Sequence, residues 1–277
     1  MNITSTIEKL KDNTIKLTIT IPSNMVKKTW EKVVEETSKN AKVSGFRKGK
    51  APKKLIEEQI DTEKIREEVL KELLPQAYIE TVKKHNITPI VNPKIHVEKF
   101  EEGGDWEFTA LTCETPEVNL GKYKDEIQKI TAKSKIIIPG KEPQQPNFDE
   151  IVKTLLAATT AIIPSMLIEH EVDRLLSQTL DEVKRLGMTL EQYLNATKRT
   201  PQNLREEYQK KAETDIKLEF VLQKIAEAEK IVVEEKEIQE AIQKAKDETE
   251  RKNLEANKYL LASILRQQKT LDFLRNL

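Results

Sequence analysis

Apolar residues recur with two different periods along this chain, and the places where one period gives way to the other mark its organisation. Near the start Ile3 and Ile7, and then more strictly Ile15, Leu17, Ile19 and Ile21, alternate with polar positions, with Asp12 and Asn13 between the two runs. A period of two turns one side of each strand toward a core, so this stretch predicts a hairpin with one buried face. Pro22 ends it, and Ser23 can cap a helix reaching about Asn40, on which Val26, Trp30, Val33 and Val34 share one stripe. Pro52 suits the first turn of a short helix through Leu55 and Ile56, and Asp61 can cap a longer one bearing Ile65, Val69, Leu73 and Ala77. Pro75 lies inside that last pattern and should kink or divide it. After Pro89 the period returns to two: Ile95 and Val97 make one strand, Gly103 and Gly104 the turn, and Trp106, Phe108 and Ala110 one face of the next. Strand pair, helices, strand pair predicts an α+β amino-terminal domain over residues 1–115, an antiparallel sheet with helices against one side.

Residues 116–146 hold four prolines (116, 139, 143 and 146), two glycines and one apolar run from Ile136 to Ile138. Such a stretch can contain a strand or two but is too short for a domain with its own core, and it reads as a linker. From 147 to 277 the pattern is helical. Ile151, Val152, Leu155 and Leu156 form one stripe; Leu167, Val172, Leu175, Leu176, Val183 and Leu186 form another that ends at Gly187. Thr189 with Gln192 makes a capping box, and Thr200 with Pro201 starts a long helix carrying Leu204, Tyr208, Ile216, Val221, Leu222 and Ile225. Beyond it come Ile238, Ala241, Ile242 and Ala245, then Leu254, Leu261, Ile264, Leu265, Leu271 and Leu274. No heptad runs throughout, so this is a helical assembly and not one coiled coil. Periodicity alone does not separate a closed bundle from open arms with shallow apolar surface between them, nor does it select client-contact residues.

Composition changes the picture mainly by exclusion. Charged residues make up 34% of 277 and aromatics 5%, which suits long solvated helices better than a deep enzyme pocket. Lys plus Arg equals Asp plus Glu at 47 each, so no global field draws the protein to nucleic acid or a membrane. Cys113 is the only cysteine, which excludes an internal disulfide and predicts a buried strand residue. The first residues carry no apolar core of signal-peptide length and no window approaches a membrane span, so the cytoplasm is expected. His85, His96 and His170 are scattered without metal-ligand spacing, no serine or cysteine stands in a catalytic arrangement, and there is no glycine-rich phosphate loop. No metal, no cofactor and no catalytic residue is expected.

One local stretch stands apart. Ser44 to Pro52 reads SGFRKGKAP, with Gly45 and Gly49 bracketing Phe46, Arg47 and Lys48, and with Lys42, Lys50, Lys53 and Lys54 close by without an acid among them. Glycines permit a tight loop tip, and an aromatic beside cations is what docking on a phosphate backbone or an acidic protein rim requires. The residues alone equally allow Phe46 to fold into a core and the lysines to be a solvated face.

GFRKGKAP, Gly45 to Pro52, resembles in order and spacing the ribosome-binding signature of trigger factor, the bacterial chaperone family of the ribosomal exit tunnel. A second likeness begins at IPSMLIEHEVDRLL from Ile163 and continues through LREEYQKKAETDIKLEFVLQKIAEAEKIVVEEKE, Leu204 to Glu237, which resembles that family's helical, SurA-like carboxy-terminal chaperone domain. The resemblance implies that Gly45, Phe46, Arg47, Lys48, Gly49 and Lys50 contact the tunnel-exit protein and ribosomal RNA. It also implies that helical arms cradle unfolded nascent polypeptides without ATP, with no membrane partner; a homodimer of the unbound form is left open. Most trigger factors carry an FKBP-like prolyl isomerase domain between these two regions, for which 116–146 leaves no room. The enzyme label of the family is therefore not expected to carry over. A residual peptidyl-prolyl isomerase and an RNA-binding or ribosome-assembly protein are the rival readings.

Overall fold

The computed structural model describes residues 3–40, 62–101, 103–134 and 147–277. They form two compact units that meet in sequence between Thr115 and Pro116.

In the first unit β1 (Thr4–Lys9), β2 (Ile15–Ile21), β3 (Lys94–Phe100) and β4 (Trp106–Thr112) make one antiparallel sheet in the order β1-β2-β4-β3. Asn13, at φ 64°, turns the first hairpin, a conformation its short polar side chain tolerates. Register places Ile19 opposite Phe108, Leu17 opposite Ala110 and Ile21 opposite Trp106, so the alternating apolar residues of the two central strands share one buried face. Two helices cover it, α1 (Ser23–Asn40) and α2 (Thr62–Lys84). α2 buries Ile65, Val69, Leu73, Ala77 and Thr81, one residue every four, as a helix against a sheet must. Pro75 does not divide it: the helix runs continuously from Thr62 to Lys84, with buried Leu73 and Ala77 holding the turns on both sides of the missing N–H. The strands at the two edges are less covered than their period suggests. Ile7 faces the same way as its buried partner Leu17 but is exposed, because β1 has no neighbour beyond it. Cys113, as expected, is buried just past β4.

The second unit begins earlier than the sequence pattern suggests. β5 (Val118–Asn119) pairs with β6 (Thr160–Ala161), and α3 (Tyr123–Ser134) inserts Tyr123 and Ile127 into the core of the helical unit. The reading of 116–146 as a linker is thus corrected for its first half: residues 118–134 are part of the fold. Tyr123, Ile127 and Thr131 form a stripe one residue wide, too narrow to stand out beside Pro116 and Gly121. The apolar run 136–138 lies outside the described residues.

Around α3 pack α4 (Phe148–Ala158), the long α7 (Pro201–Ala228) and α10 (Lys258–Asn276), burying Ile151, Leu155, Val221, Leu222, Ile225 and Leu274 with it. α5 (Ser165–Arg185) lies along α7, where the Thr179 and Tyr208 hydroxyls share a 2.6 Å hydrogen bond. Gly187, at φ 70°, closes α5: its N–H donates to the Lys184 carbonyl and that of Met188 to Val183. α6 (Leu190–Ala196) begins with the expected box, Gln192 N–H donating to Thr189 Oγ1 and the Gln192 side chain accepting from Thr189 N–H. Thr200 caps α7 through the Asn203 N–H, with Pro201 in the first turn. α8 (Glu235–Gln243) and α9 (Glu248–Ala256) come between α7 and α10 in sequence, with Ile238, Ile242 and Leu261 forming a small core of their own.

Candidate functional site

Gly45, Phe46, Arg47, Lys48, Gly49 and Lys50 lie outside the described residues, as do the short helix expected after Pro52 and the Asp61 cap. What is described is the frame on either side of them. α1 precedes that segment and α2 comes after it, and Lys32 of α1 meets Glu72 of α2 with Nζ 2.6 Å from Oε1. The hydrogen bond to Glu72 raises the pKa of Lys32 above that of a free lysine.

The helical unit carries apolar side chains that its packing leaves in solvent. Tyr259 is 92% exposed, and Leu260, Ile264 and Val232 are more than half exposed beside it in sequence or across the adjoining cavity. That cavity, about 560 Å³, is lined by Leu222, Ala226, Val232, Val233, Tyr259 and Ala262, with Glu219, Arg266, two amides and two hydroxyls around them. A second exposed group, Leu186 at 71% and Leu190, sits at the turn from α5 to α6. Leu186 and Ile264 therefore depart from the stripes to which their spacing assigns them. Leu186 is the C-cap residue of α5, already turning out of the helix before Gly187. In α10 the run Tyr259-Leu260-Leu261 places apolar residues around the helix, more than one buried face can take, and only Leu261 of the three is buried. That crowding was the sequence signal for an exposed apolar face.

The exposed face is held firmly from behind. Lys230, at φ 54°, ends α7, and the segment after it is stitched to α10: Arg266 Nε donates to the Ile231 carbonyl at 2.9 Å and Lys269 Nζ to the Val232 carbonyl at 2.8 Å. Lys269 also reaches both carboxylate oxygens of Glu237 at 2.9 Å. The backbone N–H of Glu234, and then Lys269, hold the Glu237 carboxyl below the usual carboxylate range. Just before Lys230, at the end of α7, Glu229 accepts from Tyr123 Oη at 2.9 Å, and Lys124 Nζ lies 2.7 Å from the same oxygen. Burial, and then the Glu229 bond, push the Tyr123 phenol up, while the Lys124 bond pulls Glu229 down.

Of the three histidines, His85 shares a 3.1 Å hydrogen bond with Ser5, and among the described residues no group of three or more His, Cys, Asp or Glu is placed to hold a metal ion. No described helix is long and apolar enough to cross a membrane.

Residues 3–137 match the family model of the bacterial trigger factor protein, and residues 141–276 match the model of the trigger factor carboxy-terminus. The chain belongs to the trigger factor family. Only residues 138–140 separate the two matches, so the region that lies between them in longer trigger factors is missing from this one. Among curated trigger factors, that of Natranaerobius thermophilus is 36% identical over 128 residues, 46% of this chain and 29% of the relative. That of Staphylococcus epidermidis is 37% identical over 128 residues and 30% of its length, and that of Lactococcus lactis subsp. lactis 33% identical over 159 residues, 57% of this chain and 37% of the relative. The matched span is thus about a third of the length of these relatives. A solved trigger factor chaperone, studied for promiscuous substrate recognition in folding and assembly, superposes with a TM-score of 0.67 at 13% identity, covering 98% of this chain and 99% of that one. At that identity the likeness is one of fold: an antiparallel sheet with helices, then a mostly helical part.

Proposed function

We propose that this trigger factor is an ATP-independent chaperone that docks at the ribosomal tunnel exit through Gly45 to Lys50 and shields unfolded nascent chain on its helical unit. The amino-terminal unit ending at Thr115 is the docking module, and Arg47 and Lys48 pair with phosphate or carboxylate while Phe46 fills an apolar niche. The observation that carries the reading is the exposed apolar face of Val232, Tyr259, Leu260 and Ile264, with Leu186 and Leu190 as a second patch. Exposed apolar side chains on otherwise charged helices offer weak contacts without sequence preference, which suits a client that must later be released. Docking raises the local concentration of client, so weak contacts suffice. With no span for an isomerase domain, holding rather than proline isomerisation is the assistance given.

The test is suppression of aggregation of a chemically denatured client diluted into buffer. A Tyr259→Ser, Leu260→Ser, Ile264→Ser variant alters exposed side chains, so it keeps its fold. Burying a large apolar side chain is worth roughly 1.5–3 kcal/mol, so losing three should raise the chaperone concentration needed by at least about tenfold. Undiminished suppression by this variant and by a Leu186→Ser, Leu190→Ser variant would sink the reading.

A further inference from the structure

The amino-terminal unit carries partly exposed apolar side chains of its own, beside a cavity. Register puts Ile95 opposite Ala110, Val97 opposite Phe108 and Phe100 opposite Trp106, so all three residues of edge strand β3 face the same side as buried residues of β4. Yet Ile95 and Val97 are each 37% exposed, against 0% and 1% for their partners. The helices stop short of the edge strand. On α2 the Arg66 guanidinium lies 4.8 Å above the Phe100 ring, and Tyr78 Oη lies 3.2 Å from Thr112 Oγ1 of β4. At the Phe100 end of this edge lies a cavity of about 260 Å³, lined by Trp30, Phe100 and Trp106 among others, with the last two rings 4.5 Å apart. At about 30 Å³ per water that is room for roughly nine waters, or one large aromatic side chain.

The rim decides what fits. Lys27 and Arg66 supply donors, Glu31 and Glu101 supply carboxylate acceptors, and among the described residues neither Lys27, Glu31 nor Arg66 is engaged in an ion pair. Two charges of each sign around an aromatic floor complement neither a polyanion nor a cation. They complement a polypeptide backbone, which presents N–H donors and carbonyl acceptors together.

We propose that this cavity, with the exposed edge of β3 that leads from it, binds an extended, uncharged stretch of unfolded polypeptide, seating an aromatic side chain on Trp30, Phe100 and Trp106 and laying small apolar side chains over Val97 and Ile95. It rests on the chaperone reading above, and gives the amino-terminal unit a client site separate from the exposed face of the helical unit. Binding here is insensitive to salt, in contrast to docking through the basic segment 45–50.

The chain's only tryptophans, Trp30 and Trp106, both line the cavity, so tryptophan emission of the full chain, excited selectively over tyrosine, reports on this site. The probe is a tryptophan-free decapeptide of alternating Val and Ser with one central Phe, titrated at low and at 0.5 M salt. The proposal expects a saturable emission shift at both salts, at least tenfold weaker binding for the Phe→Ala peptide, and a similar loss in an Ile95→Glu, Val97→Glu variant, whose edge positions leave the core intact. A milder Val97→Ser variant should fall between. No saturable shift, equal response to the Phe→Ala peptide, or full binding by the Glu variant overturns it. So does a shift that appears without peptide as the protein is concentrated, which marks a second copy as the occupant. Suppression of aggregation is measured on the same samples: if it persists while the peptide fails to bind, this proposal falls and the chaperone reading stands.

Discussion

Gly121 sits just after β5 at φ 53°, and a Cβ built on it would stand 2.6 Å from the carbonyl oxygen of Ala158, the last residue of α4. Replacing it by alanine therefore imposes two costs. A left-handed conformation costs a non-glycine residue about 1–2 kcal/mol. The contact is with backbone, so no rotamer relieves it, and overpacking of this kind adds about 1–3 kcal/mol. The smaller entropy of the unfolded alanine chain offsets roughly 0.4–1 kcal/mol. Gly121→Ala should thus destabilise the helical unit by about 2–4 kcal/mol, lowering its Tm by roughly 5–15 °C for a unit of this size. Gly187→Ala is the internal control: φ is 70° but nothing lies within 4 Å of its Cβ, so it should cost only the conformational part. Urea unfolding monitored by far-UV circular dichroism reads the helical unit, while tryptophan fluorescence reads the amino-terminal one, because Trp30 and Trp106 both belong to it. The reasoning is refuted if Gly121→Ala costs no more than Gly187→Ala, which would mean that residues 118–134 are not packed against α4.

Three further outcomes rest on the same geometry. Lys269→Met removes the bonds to Val232 and Glu237 and should lower the urea midpoint only slightly, since both partners of the ion pair are partly exposed; hydrogen exchange should quicken in α8 and stay unchanged in α5. Glu229 has a folded pKa below its ordinary value, so its contribution is present at neutral pH and fades as pH falls through the folded value. Tyr123 is raised, so its contribution holds below about pH 10 and is lost above it as the unfolded phenol ionises; Tyr123→Phe should flatten this alkaline loss in a pH series of urea midpoints. Burial pushes the Cys113 thiol up to about 11, so alkylation at pH 8 should be slow in the native chain and fast in urea.

Much of the fold was legible because the period states which face a residue takes. The strand alternation of Ile15 to Ile21, the four-residue spacing of Ile65 to Ala77, the Thr189–Gln192 box and the Gly187 stop all have local causes, and the structure repeats them. Period does not state how far a covering element extends, which is why Ile7, Ile95 and Val97 point with their stripes and still meet solvent. Nor could it find α3, whose buried face is Tyr123, Ile127 and Thr131 alone, or foresee that flanking packing carries α2 through Pro75. The segment proposed to dock was legible only as a motif, its charges being local in a chain without net charge.

The most direct test of the account is co-sedimentation with ribosomes at moderate salt, comparing the native chain with a Phe46→Ala, Arg47→Ala, Lys48→Ala variant that retains aggregation suppression in free solution. The account predicts that the native chain pellets with ribosomes and that the variant stays in the supernatant. Equal pelleting of the two, or no pelleting of either, would contradict docking through Gly45 to Lys50.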